Sequence, residues 1–100
     1  MHKIAHHASR SQLRFRPDPL DIAQLDFGPL DAPFSPTQVA LIAEESPMGG
    51  AGLVALTSPQ LHEGVVLRVK VGRLAPLRSE VRWMRKLEGD LVRVGIKFLE

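Results

Sequence analysis

The sequence predicts an all-β fold, a small antiparallel barrel or sandwich. Apolar and polar residues alternate with a period of two along much of the chain, whereas the 3.6-residue period of an amphipathic helix is hard to find. Clusters of glycine, proline and other turn residues separate the alternating segments. Five or six short strands with such turns between them are typical of small all-β domains.

The composition fits one soluble domain with a single modest core. The chain has 100 residues, of which 44% are hydrophobic and 24% charged, as in ordinary folded proteins. Because it has no cysteine, a disulfide, a thiolate nucleophile and a cysteine metal site are excluded. The apolar runs are too short to span a membrane and the first residues lack the apolar core of a signal peptide, so a cytoplasmic location is expected.

The first 16 residues are predicted to form a flexible basic arm in front of a barrel domain at residues 17–100. The net charge of the chain is only +2, but its distribution is uneven. The basic residues that precede the first acid, Asp18, are Lys3, Arg10, Arg14 and Arg16. Such an arm is either a solvated tail or a clamp for anions, because arginine side chains match phosphates and purine edges.

Three strands are predicted in the first half of the chain. Residues 20–27 alternate in polarity and form the first strand, which a loop with three prolines follows at 28–36. The apolar segments 37–43 and 53–57 form the second and third strands. The glycine-rich stretch between these two strands predicts a hairpin or a bulged corner.

Three more strands are predicted in the second half, at residues 64–71, 77–83 and 91–99. Their alternation indicates which side chains face the core. The predicted inward residues are Leu67, Val69, Val71, Leu77, Val81, Trp83, Val92, Val94, Ile96 and Phe98. Phe27 of the first strand is assigned to the core in the same way. Trp83 is therefore expected to be buried rather than to stack on a ligand.

Four short motifs follow one another along the chain: RSQLR at 10–14, ESPMGG at 45–50, VRW at 81–83 and VGIKF at 94–98. Two arginines separated by three residues precede the first strand, and an acid, a serine and a glycine follow the second. The order and spacing of these motifs resemble the PilZ domain, a bacterial module whose family role is to bind the second messenger cyclic di-GMP. The resemblance covers the chain from Arg10 onward.

The resemblance implies a six-stranded antiparallel split barrel that holds cyclic di-GMP between the N-terminal arm and the glycine-rich corner. In family terms, the arginines contact the guanines and the phosphates, while the corner offers polar groups and open backbone. Guanidinium groups can pair with phosphates, and they can also stack on guanine or donate two hydrogen bonds to its edge. The binding residues expected on this basis are Arg10, Arg14, Arg16, Glu44, Glu45, Ser46, Gly49 and Gly50. No cofactor is expected beside this ligand.

The corner motif fits the chain in two registers. One register begins at Glu44 and keeps Ser46 and Gly49, and the other begins at Glu45, ends at Gly50 and loses the serine. A one-residue bulge near Ser46 would reconcile them. Glutamate stands where the family has aspartate or asparagine, and a carboxylate can accept hydrogen bonds from the Watson–Crick edge of guanine.

Two functions are predicted for such a barrel. The first is a sensor or adaptor that binds cyclic di-GMP and passes the change to an unidentified protein partner. The second is a divergent PilZ-like module that binds no nucleotide and acts through protein contacts. Retention of both arginines favours the first, and the glutamate at the corner favours the second. A barrel that binds single-stranded nucleic acid is disfavoured by an aromatic content of 5% without tyrosine.

Neither catalysis nor metal binding is expected. A serine nucleophile needs a base and an orienting partner, and Ser46 has only histidines as candidate bases. Glu44 and Glu45 are neighbours on a strand and point to opposite faces, which does not suit an acid and base pair. The histidines within residues 2–7 lack a fourth ligand. Neither DNA nor a membrane is expected as a partner, and the protein is expected to be a monomer or a homodimer.

Overall fold

A computed structural model describes residues 22–46 and 49–100, which form a closed antiparallel β-barrel. The six strands are β1 (Ile22–Asp26), β2 (Gln38–Ser46), β3 (Gly50–Leu56), β4 (Val66–Val71), β5 (Leu77–Lys86) and β6 (Leu91–Phe98). Their order around the barrel is β1-β2-β3-β6-β5-β4, and pairing of β4 with β1 closes it. The predicted six-stranded all-β fold is therefore confirmed.

The described residues contain no helix, so none of them belongs to a helix long and apolar enough to cross a bilayer. Because the barrel is closed, each of its six strands pairs with a neighbour on both sides. The arm predicted at residues 1–16 lies outside the described residues. The length of the arm and the position of the first residue of β1 decide which parts of the barrel the arm can reach.

Inward-facing aliphatic side chains from all six strands fill the barrel. Small alanines of β1 to β3 face leucines and valines of the other strands, so large and small residues alternate around the interior. The buried core consists of Ala23, Leu25, Ala40, Ile42, Ala51, Leu53, Ala55, Leu61, Leu67, Val69, Val71, Val81, Val92, Val94 and Ile96. Phe27 and Phe98 are half-buried and pack against this core. The predicted core residues are thus in place, with one exception.

Two irregularities in strand pairing decide which side chains reach the outer face. The register of β2 against β3 shifts between Ile42 and Glu44, which leaves Ala43 as the extra residue. The register of β5 against β6 shifts between Val81 and Trp83 in the same way. Because strand side chains alternate with a period of two, one extra residue reverses the direction of every side chain after it.

Trp83 lies on the outer face of the barrel, so the prediction that it is buried was wrong. Its exposed fraction is 39%, whereas Val81 is buried. The physical reason is the extra residue Arg82, which turns Trp83 outward opposite Gly95 and lets Met84 pack against the core instead. Alternation read from the sequence assumed an uninterrupted strand.

A one-residue bulge lies at Ala43, whereas the bulge expected near Ser46 and Pro47 falls partly outside the described residues. Beyond Ala43, Glu44 and Ser46 pair with two glycines of β3 at outward positions, and Glu45 pairs with Ala51, which is buried. Glu44 and Ser46 therefore share one face of β2. This arrangement corresponds to the register of the corner motif that begins at Glu44.

A buried ion pair fastens the proline-rich loop after β1 to the barrel. Arg68 donates from Nη2 to Oδ2 of Asp26 at 2.7 Å and from Nη1 to the carbonyl oxygen of Ala32 at 2.6 Å. Asp26 also accepts hydrogen bonds from the backbone N–H groups of Ser35 at 2.9 Å and Gly28 at 2.7 Å. These bonds, together with the Arg68 charge, hold the pKa of Asp26 below its ordinary value of 3.8, although burial acts in the opposite direction. Arg68 is thus a structural residue.

Candidate functional site

The β2–β3 corner borders a groove of about 340 Å³ on the surface of the barrel. Four of the predicted binding residues line it: Glu44, Glu45, Ser46 and Gly50. Gly49 lies in the turn between the two strands, with a φ of 83° that favours glycine. Its N–H donates to the carbonyl oxygen of Ser46 at 3.1 Å, which closes the turn. The structure therefore brings the predicted corner residues together at one site.

Glycine backbone forms the floor of the groove. Gly50 lies opposite Lys97, and Gly52 lies opposite Gly95 in the next strand. A Cβ atom at Gly50 would overlap the carbonyl oxygen of Ile96. The strands therefore approach closely at Gly50, while the side chain of Glu44 covers Gly52 and the indole of Trp83 covers Gly95.

The indole of Trp83 forms one wall of the groove. It lies directly on Gly95, where a Cβ atom would overlap Cε2 and Nε1 of the ring. The guanidinium carbon of Arg85 lies 5.8 Å from the ring centroid, within the range of a cation–π contact. Since the ring keeps 39% exposure, part of it remains accessible to solvent.

Charged side chains of both signs surround the floor. Arg82 and Lys97 line the groove and are exposed. Glu44 accepts from Nη2 of Arg93 at 2.6 Å across the sheet. Oε2 of Glu45 is buried and accepts no hydrogen bond from the described residues. The groove thus offers cations, an exposed ring and the exposed carboxylate of Glu44 within one cavity.

The predicted arginines of the arm, Arg10, Arg14 and Arg16, lie outside the described residues. Their part in the site remains a prediction. Conversely, reasoning from the sequence did not assign Arg82, Trp83, Gly95 and Lys97 to the site, although all four line the groove. The available signal was the glycine inside the apolar alternation of β6, because an interior strand glycine often marks close approach of another group.

The chain matches no protein family profile, no curated protein and no solved structure. The resemblance to PilZ domains therefore remains a prediction from the four sequence motifs. The closed six-stranded barrel follows from the strand pairing alone.

Replacing Trp83 with leucine is expected to lower the free energy of unfolding by only about 1 kcal/mol, because the indole lies outside the core. As a control, Leu53→Ala removes a buried core side chain and is expected to cost about 2–5 kcal/mol. Urea denaturation followed by circular dichroism compares the two variants. Equal losses of stability would contradict the outward placement of the indole.

Proposed function

We propose that this protein is a sensor or adaptor that binds cyclic di-GMP in the groove at the β2–β3 corner and passes the change to a protein partner. The proposal is supported above all by one juxtaposition. An exposed indole, two exposed cations and the exposed carboxylate of Glu44 meet over a glycine floor. A flat anionic ligand with hydrogen-bond donors on its edge complements each of these features.

The indole and the exposed carboxylate of Glu44 favour guanine as the flat group. Stacking of a base on an exposed aromatic ring contributes about 1–3 kcal/mol, and Trp83 offers such a ring. The Watson–Crick edge of guanine carries N–H donors at two adjacent positions, which a carboxylate such as Glu44 can accept. Adenine presents an acceptor nitrogen at the corresponding edge, which would face the carboxylate unfavourably. The groove is therefore expected to discriminate between the two purines.

The positive charges favour the phosphates of a cyclic dinucleotide. Arg82 and Lys97 line the groove, and neither forms an ion pair with a groove carboxylate among the described residues. Arg82 pairs with Glu80 at 3.7 Å on the solvated surface of the barrel, where such pairs are weak. Both cations can therefore turn toward a ligand phosphate. Arginines of the arm would add further charge.

The arm is long enough to reach the groove. Ile22 pairs with Leu41 in antiparallel fashion, so the chain enters β1 from the side on which β2 runs on toward Ser46. Arg14 lies eight residues before Ile22, a span of up to about 28 Å. The five residues from Leu41 to Ser46 cover only about 17 Å of strand. Arg10 and Arg14 can therefore contact a ligand held at the corner, and an arm ordered in this way can signal to a partner.

One feature of the corner favours the second function, a PilZ-like module that binds no nucleotide. Two adjacent carboxylates, Glu44 and Glu45, stand where the family has a single acid or amide. Glu44 is held by Arg93 at 2.6 Å, and a second negative charge opposes phosphate binding. A barrel specialised for protein contacts would tolerate this arrangement.

Titration calorimetry with cyclic di-GMP distinguishes the two functions. The intact chain is expected to bind with micromolar affinity that weakens as salt rises, because charge pairs carry part of the binding. Cyclic di-AMP is expected to bind far more weakly. The double variant Arg10→Ala with Arg14→Ala should abolish binding and leave the melting temperature unchanged.

The matched control removes two positive charges far from the groove, by Lys70→Ala with Arg73→Ala on β4 and the turn after it. This variant should bind as the intact chain does. If the intact chain releases no heat with cyclic di-GMP at either salt concentration, the module without nucleotide is the better account.

A further inference from the structure

Apolar side chains cover one continuous part of the barrel's outer surface, beside the groove and separate from it. Two pairing rows define this surface: Ile22, Leu41 and Val54 lie side by side on β1, β2 and β3, and Leu56 lies opposite Leu91. We call it the apolar face; its residues are Ile22, Val39, Leu41, Val54, Leu56, Leu87 and Leu91. The exposed fractions of Val39, Leu41 and Leu56 are 58%, 56% and 59%.

Core packing does not account for the apolar face. The inward residues of the same strands already fill the barrel, and in a solvated barrel the outward positions are normally polar. Several outward positions of β4 and β5 follow that rule, among them Lys70, Arg78 and Glu80. Contiguous exposed apolar surface on a small domain marks a site of interaction.

We propose that the apolar face is the interface of a symmetric homodimer. The seven residues of the face are all aliphatic, so an apolar surface of the same kind on a second copy can cover it. Because the barrel is closed, two copies cannot join by strand addition and must pack face to face, as the sheets of a sandwich do. Nucleotide binding is not required for this contact.

The first residues of the chain are a less suitable cover for this face. The antiparallel pairing of Ile22 with Leu41 places the N-terminal end of β1 beside the part of β2 that runs on toward Ser46. Leu56 and Leu91 lie in the opposite direction along the strands. To cover them, the chain would have to reverse at Ile22. A second copy needs no such reversal.

Charges at the two ends of the apolar face indicate how the copies are arranged. Arg85 lies opposite Arg93 at the end near the groove; Arg93 pairs with Glu44, and Arg85 carries the positive charge that forms no ion pair among the described residues. Glu88 and Asp90 lie in the turn between β5 and β6, at the other end. If the strands of the two copies run antiparallel, the basic end of each copy meets the acidic end of the other. The same contact then forms twice, as two-fold symmetry requires.

The size of the face fits a reversible dimer. Apolar patches on monomers reach about 300–600 Å², and a standard specific interface buries about 800 Å² on each partner. Seven aliphatic residues with the charged border just described can form the centre and rim of an interface at the lower end of that range. Interfaces of this class include dimers with micromolar dissociation constants.

Sedimentation equilibrium of the full chain over a range of concentrations, without nucleotide, tests the proposal. The apparent mass is expected to rise from that of a monomer to that of a dimer. The double variant Leu41→Lys with Leu56→Lys should raise the dissociation constant at least about 100-fold, because it places charges in the centre of the interface. Circular dichroism checks that this variant remains folded.

The matched control is Leu74→Lys, which makes the same change at a leucine that is 43% exposed in the turn after β4. It should leave dimerisation unchanged. A second test exchanges charges: Arg85→Glu should weaken the dimer, and adding Glu88→Arg in the same chain should restore it. Failure to restore it would overturn the antiparallel arrangement.

Two results would overturn the homodimer itself. In the first, the intact chain has the mass of a monomer at every concentration, and the lysine double variant has the same melting temperature as the intact chain. The apolar face would then have no function in self-association. The other is a monomeric mass with a melting temperature that falls sharply in that variant and not in Leu74→Lys. That result would place the chain's own N-terminal residues on the face.

Discussion

Replacing Gly50 with alanine is expected to destabilise the barrel by about 3 kcal/mol, which corresponds to a fall in melting temperature of about 12–24 °C. The new Cβ atom would overlap the carbonyl oxygen of Ile96. That oxygen belongs to the backbone of the adjacent strand, so it can move away only if the pairing of Gly50 with Lys97 is distorted. Thermal melting followed by circular dichroism measures the loss.

Gly52→Ala is the matched control, because Gly52 lies on the same strand and the same face. A Cβ atom there would stand 2.9 Å from Cγ of Glu44. The Glu44 side chain is exposed and can rotate away, so the expected loss is at most about 1 kcal/mol. If the two alanine variants had the same melting temperature, this result would contradict the close approach of β3 and β6 at Gly50.

Arg68→Met is expected to lower the free energy of unfolding by about 3–5 kcal/mol, because it leaves the buried carboxylate of Asp26 without its cation. The substitution also removes the hydrogen bond to the carbonyl oxygen of Ala32 and frees the proline-rich loop. Urea denaturation at neutral pH measures the loss. Arg78→Met serves as the control, since Arg78 pairs with Glu100 at 3.8 Å between exposed side chains and should cost less than about 1 kcal/mol.

The same ion pair predicts how stability depends on pH. The pKa of Asp26 is lower in the folded chain than its ordinary value of 3.8, chiefly because Ser35 and Gly28 donate hydrogen bonds to the carboxylate. Its stabilising effect is therefore complete above that value and is lost as the pH falls through the lowered pKa. Asp26→Asn should remove this part of the acid sensitivity. A variant as acid-sensitive as the parent below about pH 4 would contradict the role given to Asp26.

Local sequence patterns predicted most of the fold. The alternation in β4 and β6 placed Leu67, Val69, Val94 and Ile96 correctly, because those strands run without interruption. It failed at Trp83, where a bulge reversed the direction of the side chains. The position of a bulge depends on pairing with a strand that is distant in sequence, and the residues near position 83 contain no signal for it.

Long-range pairing also explains the other differences between prediction and structure. Arg68 looks like a solvated residue in the alternation of β4, but Asp26, far away in sequence, makes it a buried one. The corner was predictable because its acid, serine and glycines lie close together in the sequence, within residues 44–50. The opposite wall of the groove was not, because Trp83 and Lys97 come from β5 and β6 and meet the corner only after the barrel closes.

The most direct test of the central claim is an amide correlation spectrum of the labelled protein, recorded before and after addition of cyclic di-GMP. We expect shifts at the amides of Ser46, Gly52, Gly95 and Lys97 and at the indole N–H of Trp83, all of which belong to the groove. The amide of Ser35, in the proline-rich loop, should not move. No shift at saturating ligand, or shifts confined to that loop, would contradict binding at the β2–β3 corner.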